Sequence, residues 1–471
     1  MRSVCAVHLL IRARTQHPHR VRPRRDIIPR ASAARRAAFP ISPTPTSQRW
    51  QEAGPWRPAV RRIPSSPPPF PPSLTAVQIA LLLRATVEIH RFPAFCGFTV
   101  GVSTALRPVF ERLLGGSSRD QQVFASFLAS SVAAAGGLQL LNSRQYKYTS
   151  AGRTIDMTLF AASKAADVLI GELWARLRAR RTRAGTLTRL ERFIGASIDP
   201  TLFAISSGII MYVWVYTPEK LPPAYTKQIA SMANADNRLL ITLRKIKSGE
   251  YIYGRDTGQA DILQSYCADL GLPLQWGDPA QNKTIPCELV HAGRTKHCEM
   301  HALREFWKAT WKTAFPIYLT LNMLRFLKPR LPTARALVTA LLAAARSASF
   351  LGAFVGLFWY GVCLTRTRLG PLFTENQIAL DKICVKIGCL MCGWSVLVET
   401  RARQAEFMFF VLPRALAAVA PRRYDPRYQW VETTVFSLSA GVLMSCVRAN
   451  PRRVRGMFGR LLGKVIRPVG Q

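Results

Sequence analysis

Four residues near the middle of the chain have the side-chain types and the close spacing of a metal-binding site. The segment runs Cys287, three residues, His291, six residues, Cys298, two residues and His301. Cys thiolates and His imidazoles are ligands that Zn²⁺ prefers, and four of them complete a tetrahedral site. The spacing matches no standard zinc finger, so two other interpretations stay open: a disulfide between Cys287 and Cys298, or side chains that bind nothing. A structural zinc is the one cofactor that the sequence suggests.

No arrangement typical of an enzyme accompanies this segment. The chain has no Gly-rich phosphate loop, no HExxH sequence and no Ser, His and Asp in a catalytic order. A membrane enzyme that acts on lipid through the Cys/His segment would need an acid or a base beside it, and the spacing places none there. We therefore expect a non-enzymatic protein.

The composition separates charge from apolar residues along the chain. Of the 471 residues, 49% are hydrophobic, yet the formal net charge is +39. Apolar stretches joined by basic loops are typical of membrane proteins. Because the basic residues flank these stretches and no nucleic-acid-binding motif occurs, we expect contact with anionic lipid headgroups and not with nucleic acid. Five cysteines lie inside apolar stretches, where Cys behaves as a small hydrophobic residue: Cys363, Cys384, Cys389, Cys392 and Cys446.

Several stretches are candidates for membrane-spanning helices, which need about 20 mainly apolar residues. Three of them contain no charged residue: 121–143, 200–218 and 347–365. Others are shorter or carry charges: 92–106, 155–173, 313–324, 387–398, 404–420 and 433–447. The sequence therefore predicts an all-α, polytopic membrane protein with about nine spans. A large soluble helical core is the alternative, but these stretches lack the polar face that a soluble helix shows.

An internal repeat relates the two halves of the chain. Segments 201–211 and 434–444 share Thr, Phe, Ser, Gly and Met at matching positions. This match predicts two repeated four-span units, at about 92–217 and 350–447, with a further span or membrane-lying helix at 306–327 before the second unit. If that helix crosses the membrane, the two units are inverted relative to each other; if it lies flat, they are parallel.

Two pairs of charged residues occupy matching positions in the repeat. Asp156 and Lys164 are eight residues apart, as are Glu406 and Arg414. Eight residues are about two helical turns, so each acid shares a helix face with its base. Charges inside a span tend to face the bundle interior or a water-filled cavity, so these pairs could line a path. The alternative is that they extend to the interface near helix ends or pair with a neighbouring helix.

Two glycine pairs also recur, one near the start of each unit. Gly97 and Gly101 match Gly352 and Gly356. Two glycines one turn apart leave a flat groove that lets another helix approach closely. The sequence predicts a helix-packing role for all four.

The chain divides into five predicted regions. They are 1–75, a disordered leader; 76–218, the first membrane repeat; 219–305, a polar insert that ends in the Cys/His segment; 306–448, the second membrane repeat with its preceding helix; and 449–471, a basic tail. The leader is rich in Arg and Pro and has two acids, Asp26 and Glu52. It is interpreted either as a mitochondrial transit peptide or as an inert extension.

The Cys/His segment and the helix containing Lys164 resemble the transmembrane protein 135 family, most closely its fungal members. The resemblance covers about 92–455, and the segments that carry it are 153–169, 203–217, 221–225, 286–293, 297–301 and 316–319. The repeat is similar to peroxisomal membrane protein 4 and, distantly, to channel subunits of the mitochondrial inner-membrane translocases. The first unit lacks the Cys/His segment that animal members carry before each repeat.

The resemblance implies a multi-pass protein of a peroxisomal or mitochondrial membrane. Its function would lie in organelle maintenance or lipid homeostasis, without enzymatic activity. Its partners would be the lipid bilayer, anionic headgroups and other membrane proteins or a second copy of the chain. The alternative function is a transporter, channel or translocase-like pore, which the repeat and the charged pairs favour.

Overall fold

The structure is a computed structural model that describes residues 91–116, 118–143, 152–326, 333–372, 374–420 and 423–466. The chain divides into two compact parts, Met1–Ser73 and Leu74–Gln471, and the described residues all belong to the second part. The predicted leader at 1–75 lies outside the described residues.

The described part of the chain is helical and contains no β-strand. Four helices come first: α1 (Phe92–Leu113), α2 (Arg119–Asn142), α3 (Ile155–Arg183) and α4 (Arg189–Tyr216). The polar insert holds α5 (Pro223–Ala233), α6 (Asn237–Ser248), α7 (Ala260–Leu270) and α8 (Cys287–Val290). Next come α9 (Cys298–Trp307), a π-helical segment (Lys308–Ala314) and α10 (Phe315–Met323), followed by α11 (Ala334–Leu364), α12 (Gln377–Gly393), α13 (Arg401–Val419), α14 (Gln429–Ala449) and α15 (Gly456–Ile466). The all-α prediction is confirmed for these residues.

Within the described residues, four helices are long and apolar enough to cross a membrane. They are α2, α4, α11 with its extension to Leu372, and α14 with the turn that precedes it, Pro426–Ala449. The other predicted spans also lie on helices, namely α1, α3, α10, α12 and α13. These helices are shorter, more charged or less apolar, so the count of nine stays a prediction.

Two helices of the first unit begin with the same sequence device. Ser118 and Gln121 form a capping box at the start of α2, and Thr188 and Glu191 form one at the start of α4. In each box two main-chain N–H groups that the helix leaves without partners gain a side-chain acceptor, and each such cap contributes about 1 kcal/mol. The starts of both long apolar helices are therefore fixed locally.

Consecutive helices of the first unit are antiparallel. The contacting residues are Phe95 and Gly137 for α1 and α2, Asn142 and Thr154 for α2 and α3, and Trp174 and Gly195 for α3 and α4. The second unit continues this alternation where α11 and α12 meet, because Gly361 packs against Gly388 and Arg366 pairs with Asp381. In each predicted unit, the first helix therefore runs antiparallel to the second helix.

Helices α4 and α11 both end at the polar insert. The Arg244 guanidinium donates hydrogen bonds to the carbonyl oxygens of Val215 (2.6 Å) and Trp214 (3.4 Å) at the end of α4. His291 of the insert contacts Cys363 near the end of α11. Because α4 closes the first unit whereas α11 opens the second, α1 and α11 run in opposite directions.

The last helix of each predicted repeat unit packs against helices of the other predicted unit. Helix α4 packs against α12 and α13, and α14 packs against α2 and α3. The approach is close at small residues: Gly393 lies against the main chain of Ala204, and Gly441 lies against Phe127 of α2. The two main hydrophobic clusters consequently each combine residues of both units.

The polar insert has a small core of its own. Leu239, Ile246, Tyr251, Leu263 and Leu289 are buried in it. Three of the exposed large apolar residues lie in the insert: Leu274, and Met300 and Leu303 at its end on α9. The insert thus has the surface of a water-exposed module, whereas most of the exposed apolar side chains lie on the long helices.

The two glycine pairs have different surroundings. A side chain at Gly352 would lie 2.7 Å from the carbonyl oxygen of Phe306, and one at Gly356 would lie 3.3 Å from that of Ala302. The second pair thus receives the helix formed by α9 and its π-helical segment, as a packing groove should. At Gly97 and Gly101 no described atom lies within 4 Å of the corresponding position. The first pair does not pack against any described helix.

The glycine pairs give the first testable prediction. Gly352→Ala should lower the free energy of unfolding by about 1–3 kcal/mol, because the added methyl group collides with a main-chain oxygen. Gly97→Ala, the matched control, should raise it by up to about 1 kcal/mol, because alanine has the better helix propensity. Thermal unfolding of both variants in detergent measures the difference. Equal melting temperatures would contradict the α9–α11 contact.

Candidate metal centre

Three separate segments of the chain supply the Cys and His side chains. Cys287 opens the short helix α8, and His291 follows its last residue. Ala292 and Gly293 then adopt positive φ angles, 55° and 66°, which turn the chain back. Cys298 opens α9. The third segment is the end of α11, in the second predicted unit.

The side chains converge with the separations that a zinc ion requires. Nε2 of His291 lies 3.3 Å from Sγ of Cys363, and the ligand atoms of His291, Cys298 and Cys363 all lie within 4.8 Å of one another. A tetrahedral zinc with Zn–S near 2.3 Å and Zn–N near 2.0 Å places N and S about 3.6 Å apart. Burial raises the pKa of the Cys287 thiol, and the neighbouring Cys298 raises it further. Cys287 neighbours Cys298 but is not in the group of close ligand atoms, so it is the candidate for the fourth ligand.

A main-chain contact sets the tautomer of His291. Its Nδ1 lies 2.9 Å from the carbonyl oxygen of Thr295, so Nδ1 carries the proton and donates it. The lone pair is then on Nε2, which faces Cys363. Metal-bound histidines usually hold their second nitrogen in this way. Burial lowers the pKa of His291 and keeps the imidazole neutral, which is the form that binds metal.

His301 lies next to this cluster. Its ring stacks on His291, with centroids 4.4 Å apart, and meets Trp359 edge-on at 5.3 Å. Burial, followed by the nearby His291, lowers the pKa of His301 to about 3. In the described part of the chain, neither of its ring nitrogens has a hydrogen-bond partner. The geometry brings Cys363, not His301, into the group of close ligand atoms.

The sequence pattern does not indicate Cys363 as a metal ligand. It stands 72 residues from His291 and within an apolar stretch, where it was interpreted as a small hydrophobic residue. The sequence holds a weak signal: Arg366, one turn further on, is a charged residue directly after the apolar stretch. Its guanidinium pairs with Asp381 at 3.2 Å and also contacts Thr284 of the insert. A buried cation beside the thiols favours thiolates, the form that binds metal.

All nine described cysteines are free thiols, Cys287 and Cys298 among them. The four side chains Cys287, His291, Cys298 and Cys363 could therefore hold Zn²⁺ as three thiolates and one imidazole. Such a closed set, with no open coordination position, is typical of structural zinc. It would join the insert to the end of α11.

The charged residues of the repeat lie elsewhere, between the two units. Lys164 of α3 is 3% exposed, donates a hydrogen bond to the carbonyl oxygen of Arg455 (3.1 Å) and lies 3.4 Å from the ring centre of Phe409 on α13. Arg455 binds Asp167 and Asp199 through its guanidinium. Lys164 is therefore at the centre of a polar cluster that joins α3, α4 and α13 to the chain after α14.

The other three predicted charged residues have different surroundings. Asp156 is exposed. Glu406 lies 3.6 Å from Arg460 of α15 and is also close to Lys164, because both would contact a side chain placed at Gly456. Arg414 donates to the carbonyl oxygen of Phe410 at 2.5 Å and lies 5.7 Å from the Tyr225 ring. Glu406 and Lys164 thus contact other elements, whereas the hydrogen bond of Arg414 stays within its own helix.

Comparison with known protein families, curated proteins and solved structures gives no match. The resemblance to the transmembrane protein 135 family therefore stays a prediction from the segments that carry it.

The metal centre gives the second prediction. Full-length protein purified without chelator should contain about one zinc per chain, and Cys363→Ser should weaken binding at least about tenfold because one thiolate is lost. Cys389→Ser, equally buried on α12, is the control and should keep the metal. Metal analysis after mild dialysis against chelator measures both. Wild-type protein without zinc, or a Cys363→Ser variant that retains it, would refute this ligand set.

Proposed function

We propose that this chain is a non-enzymatic, multi-pass protein of an intracellular organelle membrane, peroxisomal or mitochondrial, that acts in organelle maintenance or lipid homeostasis. The observation that carries the membrane assignment is the position of the exposed apolar side chains. Most of them lie on the long helices, and in the insert they are limited to Leu274, Met300 and Leu303. Soluble proteins rarely expose apolar patches of this extent, whereas lipid contact accounts for them. The organelle and the role come from the resemblance of the Cys/His segment and the Lys164 helix.

The proposal includes nine spans, arranged as two inverted four-span units with one crossing between them. Its support is that α4 and α11 both end at the insert, and that α9 and α10 run antiparallel along α11. An odd number of crossings between two similar units inverts the second. The reciprocal packing of α4 and α14 is what such a duplication would produce.

Labelling of isolated organelles tests this arrangement. A cysteine introduced at Ser248 in the insert and one introduced at Thr186 between α3 and α4 should react from opposite sides of the membrane, because α4 separates them. The native protein should resist carbonate extraction and follow a peroxisomal or mitochondrial marker. Labelling of both positions from one side would refute the topology, and release by carbonate would refute the membrane assignment.

A transporter or pore is the second candidate, and one observation favours it. The Lys164 cluster lies where the two units meet, and inverted-repeat transporters bind their cargo at that interface. Charged groups inside a membrane bundle are costly and often mark a pathway. Lys164 is the most buried member of this cluster, with 3% of its surface exposed.

A flux measurement separates the two candidates. In vesicles loaded with a chloride-sensitive dye, a pore lined by the Lys164 ammonium should conduct anions. Lys164→Ala should reduce that flux about tenfold, whereas Lys164→Arg should preserve it because the charge remains. Lys386→Ala, an exposed lysine on α12, is the control. Wild-type vesicles without flux, or equal flux in all four proteins, would exclude Lys164 from a conduction path.

A further inference from the structure

A cavity of about 410 Å³ lies between α4, α5, α10, α11 and α13. Its walls are mostly apolar and aromatic, with contributions from Phe203, Ile210, Phe350, Leu351, Phe354 and Phe407. Small-molecule sites usually have volumes of about 300–1,000 Å³ and apolar walls with few polar groups. This cavity matches that description.

The deep end of the cavity is built from rings that hold each other in place. Phe350 stacks on Phe407 with centroids 4.9 Å apart, and Phe203 meets Phe350 edge-on at 5.9 Å. Such contacts add to the burial free energy of the rings and fix their orientation. The space is thus kept open by packed rings from α4, α11 and α13.

Ser207 places a polar group inside these walls. It lines the cavity with 3% of its surface exposed, and its hydroxyl has no hydrogen-bond partner among the residues that the structure describes. A buried hydroxyl without a partner costs about 1–3 kcal/mol, which a ligand oxygen would recover. The Ser207 hydroxyl therefore offers a hydrogen bond within a mostly apolar wall.

The guanidinium of Arg414 lies at the open end of the cavity. Arg414 lies 3.7 Å from the ring centre of Phe410 and 5.7 Å from that of Tyr225, and both rings line the cavity. Phe410 is 53% exposed, so this end is open. Within the described residues no carboxylate forms an ion pair with Arg414. One of its five N–H donors is used on the Phe410 carbonyl, which leaves others for an anion.

We propose that this cavity binds a single-chain lipid with an anionic headgroup, with the acyl chain among the phenylalanines and the headgroup at Arg414. At about 30 Å³ per water-sized group, the volume accommodates roughly a dozen methylene groups. A free fatty acid carries a carboxylate at that position and a lysophospholipid carries a phosphate, and both fit the same chemistry. The inference deepens the proposed role in lipid homeostasis and rests on it.

The choice of a lipid over a peptide or a second protein follows from the walls. Apart from Ser207, the polar lining groups are the Tyr225, Gln228 and Tyr318 side chains. A peptide brings a main-chain N–H and C=O with every residue, and these walls could not satisfy them. An acyl chain has no polar groups to satisfy.

Photo-crosslinking tests the proposal on full-length protein in neutral phosphatidylcholine nanodiscs. The probes are a diazirine-labelled palmitic acid, a lysophosphatidic acid with the same labelled chain, and the corresponding uncharged monoacylglycerol. Crosslinks are expected on the cavity walls. Leu351→Trp should reduce labelling about tenfold because the indole fills the space. Leu342→Trp, on the same helix but 66% exposed, is the matched control and should label as wild type does.

The headgroup is tested separately. Arg414→Gln should reduce labelling by the two anionic probes about tenfold, the value of one charge-assisted hydrogen bond, and leave the uncharged probe unaffected. Arg401→Gln, an exposed arginine of the same helix, is the control. The stronger of the two anionic probes identifies the headgroup.

Equal labelling of Leu351→Trp and Leu342→Trp, or crosslinks mapped elsewhere, would overturn the proposal. Labelling that is equal for the anionic and the uncharged probes would overturn the role of Arg414. Each variant is also tested for carbonate resistance. A protein that stays in the membrane without labelling refutes the cavity inference alone, whereas extraction of the wild type refutes the proposed function.

Discussion

The arrangement depends on the close contact of α4 with α12 and of α14 with α2. At Gly393 the main chain of Ala204 is so near that a methyl group would not fit, and Gly441 has a similar neighbour in Phe127. Small residues let helix backbones approach, and dispersion forces then act over the whole contact, which matters most where lipid removes the hydrophobic driving force. Helix α4 thus packs into the second predicted unit and α14 packs into the first. Neither predicted unit therefore has a complete core by itself.

The polar insert is bound to this bundle by contacts of increasing specificity. Arg244 satisfies carbonyl groups at the end of α4, where the helix dipole also favours a cation. Arg366 and Asp381 form a buried ion pair, which Tyr253 of the insert supports with a 2.6 Å hydrogen bond to Asp381. Removal of one partner from such a pair is strongly destabilising. The Cys/His cluster adds a third connection, to the end of α11, so the insert is held at two helix ends.

The cavity is a consequence of this architecture. Helix α5 returns from the end of α4 and covers space that α4, α11 and α13 leave between their aromatic residues. Protein interiors are usually close-packed, so a void of this size within an otherwise well-packed bundle invites a functional explanation. The exposed apolar surface of the helices and the apolar cavity have the same physical preference, which is for hydrocarbon in place of water.

The sequence by itself determined the class of structure and the composition of its parts. Long apolar stretches predict helices, because only an internally hydrogen-bonded backbone is stable in hydrocarbon. The capping residues Ser118 and Thr188 fix helix starts, and the Cys/His spacing singled out His291 and Cys298. All these features come from residues near one another in the chain, where periodicity and local chemistry apply directly.

The tertiary structure alone decided which distant residues meet. Cys363 joins His291 across 72 residues, Lys164 lies at the chain after α14 instead of forming a simple pair along its own helix, and Gly352 receives a helix while Gly97 does not. Apolar helices share a small set of residues and expose similar faces, so their patterns do not specify partners. The partner is chosen by shape, through the positions of glycines, rings and buried charges on faces that come together only in the folded chain.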